Sequence, residues 1–281
     1  MAERRLTAAP ASAGTQGRGE SAALLHPASP AGLQRRGLLM AAAALAGGCA
    51  QPPVQEAAGA PAPPAPPTAP GTPAGPDGHG GWHEVRLPGK AATTYRWEHK
   101  DGRQALAASA KASASMWRRR LDPAAPLPDR VSFSWWVNHL IAGANLEQAE
   151  HADAPVRVLF GFDGDHARLS PRNRLLFELA HALTGEPPPY ATLMYVWAGQ
   201  APVESVVISR RTDRVRKIVL DSGPAKLGRW RDHSRHLADD FRLAFGEAPG
   251  RLLSVAVMTD ADNTGLAAQG WYGPLRLHVA G

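Results

Sequence analysis

Residues 131–138 read VSFSWWVN, a pattern with the period of a strand. Successive side chains of an extended chain point to opposite faces, so Val131, Phe133, Trp135 and Val137 fall on one side and Ser132, Ser134, Trp136 and Asn138 on the other. Short runs of the same kind recur as VRVLFGF, ATLMYVWA, VESVVIS, VRKIVL, LLSVAVMT and WYGPLRLHV, with Gly, Pro, Asn and Asp between them. Two stretches have helical spacing instead. Ser170-Pro171 reads as an N-cap and first helical position, followed by Leu175, Leu179 and Leu183 every fourth residue and a stop at Gly185. The second starts near Ser234 and carries Leu237, Phe241 and Phe245 on one face before Gly246. Many strands, no repeat of fixed length and no regular strand–helix alternation predict a mainly β fold: an antiparallel β-sandwich, jelly-roll-like, with two short helical insertions.

The strands begin late in the chain. All eight Trp and all four Tyr lie from Trp82 onward, so a single folded domain is expected over residues 82–281, long enough to bury a sizeable core. Residues 49–81 are rich in Pro, Ala and Gly and are expected to form a disordered, extended linker, because proline fixes its own φ and removes a backbone donor. Residues 1–48 read as an export signal. Arg35 and Arg36 precede an apolar run from Gly37 to Gly48, which is shorter than the 20 or so residues that span a bilayer. The paired arginines resemble a twin-arginine signal, and Leu45-Ala46-Gly47-Gly48-Cys49 resembles a bacterial lipobox. That resemblance implies acylation of Cys49 and a partner membrane reached through the lipid anchor, at the periplasmic face. Ala50 and Gln51, rather than an acid, follow the cysteine, which favours the outer membrane.

Charge and cysteine count remove several function classes. The chain carries a net +6, but five Arg and two Glu lie in residues 1–48, which leaves 26 basic and 23 acidic groups beyond it. No basic stripe with interleaved aromatics stands out, so no nucleic acid partner is expected. Cys49 is the only cysteine, which excludes an internal disulfide and a cysteine nucleophile in the folded part. No Gly-X-Ser-X-Gly elbow or phosphate loop occurs. His233 and His236 lie three apart near the expected second helix, without the further ligands a zinc site needs.

The segments VRLPGK, DGR, FDGD, SPRNRLLFELAHALTGEPPPYATLMYVWA, PVESVV, TDRVRKIVLDSG, FGEAPGRLLSVAVMTDADNTG and WYG resemble the bacterial family called domain of unknown function 3047, over essentially all of residues 82–281. Pro274 stands where the closing motif of that family has an acid. The resemblance implies one exported or envelope domain and carries no catalytic residues with it.

Three acidic stretches compete as sites. In DADNTG, Asp260, Asp262 and Gly265 have the spacing of positions 1, 3 and 6 of a helical calcium loop, but position 12 is Trp271 and the flanks are strands, so that loop is excluded. Asp260, Asp262, Asn263 and Thr264 could still offer oxygens to calcium in another arrangement. The competing reading is a polar hairpin turn, which Asp, Asn and Gly favour. FDGD places Asp163 and Asp165 on one side of an extended chain, where they could hold a cation, build a carboxylate pair or only form a turn. Arg210, Arg211 and Asp213 lie between two strands and could meet an anionic group or form a solvated loop. Trp136, on the polar side of its strand, is the best candidate for an exposed sugar-stacking platform, although aromatics in sandwiches mostly fill the core. The expected function is ligand binding by an envelope-tethered domain, with a glycan or an envelope protein as partner. The alternatives are a hydrolase acting through Asp163, Asp165 and Asp260, and a non-catalytic scaffold.

Overall fold

A computed structural model describes residues 75–279. Cys49, the expected export signal and most of the expected linker lie outside the described residues. The chain forms thirteen strands and two α-helices: β1 Trp82–Arg86, β2 Thr94–Lys100, β3 Arg103–Lys111, β4 Ala114–Arg120, β5 Arg130–Val137, β6 Ala154–Phe162, α1 Pro171–Thr184, β7 Ala191–Ala198, β8 Val206–Ile208, β9 Val215–Ser222, β10 Arg231–His236, α2 Leu237–Phe245, β11 Leu252–Asp260, β12 Ala267–Tyr272 and β13 Arg276–His278. They make two sheets. One has seven strands in the order β1-β4-β11-β6-β7-β9-β8. The other has six, with β10-β5-β12-β3-β2 in line and β13 paired to β5. All pairings between these strands are antiparallel except β7 with β9. That parallel pair departs from the all-antiparallel expectation. It arises because the short strand β8 turns back on the far side of β9 and leaves β9 running alongside β7.

The alternation in VSFSWWVN behaves as its period predicts. Val131, Phe133, Trp135 and Val137 are at most 3% exposed and point into the space between the sheets. They meet Val156, Val158, Phe160 and Phe162 of β6 and Leu193, Tyr195 and Trp197 of β7. Phe133 stacks on Tyr195 across the two sheets at 5.6 Å. Full burial of each such side chain contributes about 1.5–3 kcal/mol, so this layer dominates the stability of the domain. A buried carboxylate ties the sheets as well. Asp221 of β9 accepts from Trp135 Nε1 and His233 Nε2, each at 2.9 Å, and from Arg231 Nε at 3.1 Å. Burial opposes its charge, but these donors outweigh burial and hold its pKa down at about 2.

The helices differ in what they cover. In α2, Leu237, Phe241 and Phe245 are buried, and Phe162 meets Phe241 at 4.6 Å, so this helix closes the sandwich at the Phe162 end of β6. Gly246 ends it at φ 70°, where a side chain would be strained. Ser234 lies in strand β10 rather than in the helix, and His233 and His236 belong to that strand too. Its sequence, RDHSRH, has no apolar alternation because it is a sheet edge. Helix α1 is capped by the Ser170 hydroxyl, which accepts from Asn173 N, and ends at Gly185 in the left-handed region. Its repeat of Leu175, Leu179 and Leu183 faces solvent, while Leu176, Phe177 and Ala180 turn toward the domain. Among the described residues no helix is long and apolar enough to cross a membrane.

A polar pocket on the outer face of the seven-stranded sheet

The seven-stranded sheet has a second face, turned away from the core. Arg157 of β6, Met194 of β7, Lys217 of β9, and Met258 and Asp260 of β11 alternate onto it. Register makes them neighbours: Arg157 lies opposite Met258, and Met194 opposite Lys217. Four connections rise around these residues: 87–90, 149–152, 209–212 and 262–263. Together they enclose a cavity of about 400 Å³ with Arg157, Lys217 and Asp260 in its floor and Leu87, Leu146, Met194 and Met258 in its walls.

The charged floor is held rigidly. Asp260 is 4% exposed and Arg157 is 4% exposed. Arg157 donates from Nε to Asp260 Oδ1 and from Nη2 to Asp260 Oδ2, each at 2.8 Å, and Ala154 N adds a bond to Oδ1 at 3.1 Å. Burial pushes the Asp260 carboxyl up and the Arg157 guanidinium pulls it back. Below this pair, Tyr272 Oη accepts from Arg157 N and donates to Met258 O, joining the floor to the second sheet. Lys217 is different. It is 4% exposed and lines the cavity, yet its amine has no hydrogen-bond or ion-pair partner among the described residues. Burial, helped by the neighbouring Arg157, pushes its pKa from 10.5 down to about 8.

The DADNTG stretch forms part of the wall. It is not a hairpin turn, because β11 and β12 belong to different sheets and the stretch carries the chain across. Asp153 organises it. Its Oδ1 accepts from Asn263 N at 3.2 Å and Asn263 Nδ2 at 2.7 Å, and its Oδ2 from Thr264 N and Thr264 Oγ1, each at 2.7 Å. Burial pushes Asp153 up, but the four bonds from Thr264 and Asn263 outweigh it and hold the carboxyl below its usual value. Asp262 pairs with Lys90 at 2.6 Å, and Asn263 Oδ1 accepts from Arg211 Nη2 at 2.9 Å.

These bonds decide how well calcium fits. Asp153, Asp260 and Asp262 place carboxylate oxygens within 4.8 Å of one another, the grouping a cation would seek. Calcium takes six to eight oxygens. A carboxylate has about four lone-pair positions, and all four on Asp153 are in use. Both oxygens of Asp260 face Arg157, and Thr264 spends its hydroxyl proton and its amide on Asp153. The set Asp260, Asp262, Asn263 and Thr264 is therefore brought together, but as donors and acceptors satisfied within the protein. It does not fit calcium.

The other expected site residues lie elsewhere. Asp163 follows the last residue of β6, whereas Asp260 pairs with Ala154 at its first. At about 3.3 Å per residue the two ends are roughly 30 Å apart, far beyond the 5–9.5 Å that glycoside chemistry uses. Asp163 pairs with Arg251, and Asp165 caps a short 3-10 turn by accepting from Ala167 N at 2.9 Å. Asp213 accepts from Asn173 Nδ2 and so ties the connection between β8 and β9 to the first turn of α1. It borders a neighbouring cavity of about 660 Å³ with Arg172 and Arg210. Trp136 is 8% exposed and is no open platform. Trp230 covers it edge-on at 5.9 Å, and the Lys100 ammonium sits over both Trp136 and Trp271, at 5.0 and 4.0 Å.

Residues 80–276 match the family described as Protein of unknown function (DUF3047). The chain belongs to this family. No curated protein matches it. A family without an assigned activity lends no residue roles, so the pocket stands on its own chemistry. Sequence reasoning had missed Asp153, Arg157 and Lys217, although a signal was present for one of them: Arg157 is the single charged residue in the apolar strand β6.

Proposed function

We propose that this protein is an envelope-tethered binding protein whose ligand occupies the pocket on the outer face of the seven-stranded sheet. The observation that carries the reading is the pre-set floor: Asp260 and Arg157 are locked by mutual bonds, while the space above them is open and about 400 Å³, within the range of small-molecule sites. Rigid polar groups under apolar walls suit recognition of a small component of the envelope, such as a glycan fragment. The hydrolase reading has less behind it, because Asp260 lies at the opposite end of β6 from Asp163 and Asp165, and those two are engaged with Arg251 and the Ala167 amide. The tether rests on the lipobox-like Cys49 and the Pro/Ala/Gly linker after it.

Two measurements test this. Full-length protein expressed in a Gram-negative host and fed an alkynyl palmitate analogue should acquire the label and lose it on Cys49→Ser. A chain that stays unlabelled would refute the tether. Thermal unfolding against a panel of glycan fragments and small envelope metabolites should then find a compound that raises the melting temperature of the parent and not of Arg211→Ala. A panel with no such compound would count against the pocket.

A further inference from the structure

The charges around the pocket do not cancel. Arg157 is matched by Asp260, and Lys90 by Asp262. Three cations remain, against the single carboxylate of Asp153, which bonds only the neutral donors of Asn263 and Thr264. Arg211 spends one Nη2 bond on the neutral Asn263 side chain, and Arg210 spends its Nε on the Glu147 carbonyl, so each keeps its charge unmatched. Lys217 has no partner at all among the described residues and is 4% exposed. A lysine amine buried in a protein without an acceptor is costly, and buried cations are ordinarily paired. Here the one open direction is the cavity that Lys217 lines. The same cavity places Arg211 on the rim and apolar side chains, Met194 and Met258 among them, on the walls.

Resting on the binding reading above, we infer that the ligand of this pocket is a small organic oxyanion, a carboxylate or phosphate monoester on a compact body, with its charged group on Lys217 and Arg211 and its body against the two methionines. The anion supplies the acceptor that Lys217 lacks. Arg157 competes less for it, because Asp260 already matches its charge and takes its Nε and one Nη2 bond. A neutral body of the same shape leaves Lys217 unsatisfied and gains only the apolar contacts.

Matched pairs isolate the charge. Titration calorimetry of the full-length protein at constant ionic strength compares benzoate with benzamide, D-glucuronate with D-glucose, and inorganic phosphate alone. The charged member of at least one pair is expected to bind about tenfold or more tightly than its neutral partner, the scale of a hydrogen bond to a charged group. Lys217→Met should abolish that preference, and Lys111→Met, which changes an exposed lysine on the other sheet, should leave it intact. Neutral members that bind as well as charged ones, or a Lys217→Met protein that keeps the preference, overturn the oxyanion assignment while leaving a binding pocket in place. No binding by any of the five probes overturns the assignment and counts against the pocket reading as well. If Lys217→Met loses its fold by circular dichroism, Arg211→Ala on the exposed rim carries the same comparison.

Discussion

Lys217→Met is the substitution whose effect on stability follows most directly from the structure. Lys217 is 4% exposed, and burial beside Arg157 lowers its pKa from 10.5 to about 8, with Asp260 acting in the opposite sense and Arg211 in the same one. At about pH 7 the amine is protonated in both the folded and the unfolded chain, so the whole cost of burying the charge is present. A drop from 10.5 to about 8, at 1.36 kcal/mol per unit, corresponds to about 3 kcal/mol. That is an upper bound, because water entering the pocket screens the ammonium. Methionine keeps the unbranched shape, drops the charge and packs beside Met194. The variant should be more stable at neutral pH by up to about 3 kcal/mol, or about 6–12 °C in melting temperature for a domain of this size.

The pH dependence separates charge burial from simple repacking. Between the folded value of about 8 and the ordinary 10.5, the unfolded chain holds the proton that the folded chain has released. Parent stability therefore rises with pH across that window relative to the variant, and the gap closes above it. Buried Tyr195 and Tyr272 have pKa values raised by desolvation and titrate in both proteins, so their effect cancels in the difference. Chemical unfolding of parent and variant, from neutral pH to beyond the ordinary lysine value, measures the gap. A variant that is no more stable at neutral pH, or a gap that persists undiminished in alkali, would refute the reasoning.

Asp153→Ala removes the acceptor for four bonds from Asn263 and Thr264, and should destabilise the domain by about 2–4 kcal/mol while exposing residues 261–266 to limited proteolysis. Unchanged proteolysis would mean that Asp153 does not organise that connection. Because the same oxygens are spent within the protein, millimolar calcium and a chelator should give the same melting temperature, and a rise with calcium would restore the metal reading. Gly270→Ala places a Cβ 2.3 Å from Val156 Cγ1 and 2.6 Å from Pro155 O, where β12 crosses β6, and should cost about 1–3 kcal/mol in unfolding free energy. A neutral effect there would show that the two sheets can separate locally without loss.

The parts of the fold that could be read from sequence are those where burial is one-sided. The inward set of β5 and the apolar face of α2 each have a partner layer that demands a period, and the period is visible. Elements without that demand stayed hidden. Strand β10 is an edge of polar residues, and β3, RQALAASAK, is rich in alanine, which marks a close approach rather than a strand. Helix α1 shows the converse: its leucine repeat is real, but it faces solvent, so periodicity established the helix without marking its buried side.

The site was harder for a reason that composition cannot remove. DADNTG has the oxygens of a cation site, and what those oxygens do depends on residues far off in the chain. Asp153 lies 110 positions before Asn263, and Arg157 lies 103 before Asp260. Once those partners arrive, the acids become structure. The unmatched group is then the one whose local sequence looked least active, a lysine in the strand VRKIVL. Its position was informative even so. The alternation of that strand sends Lys217 to the face opposite Ile218, and a cation there needs either open solvent or an acceptor. The connections around it leave the pocket as the one way out to solvent, among the described residues no acceptor is supplied, and the pocket is what remains to provide one.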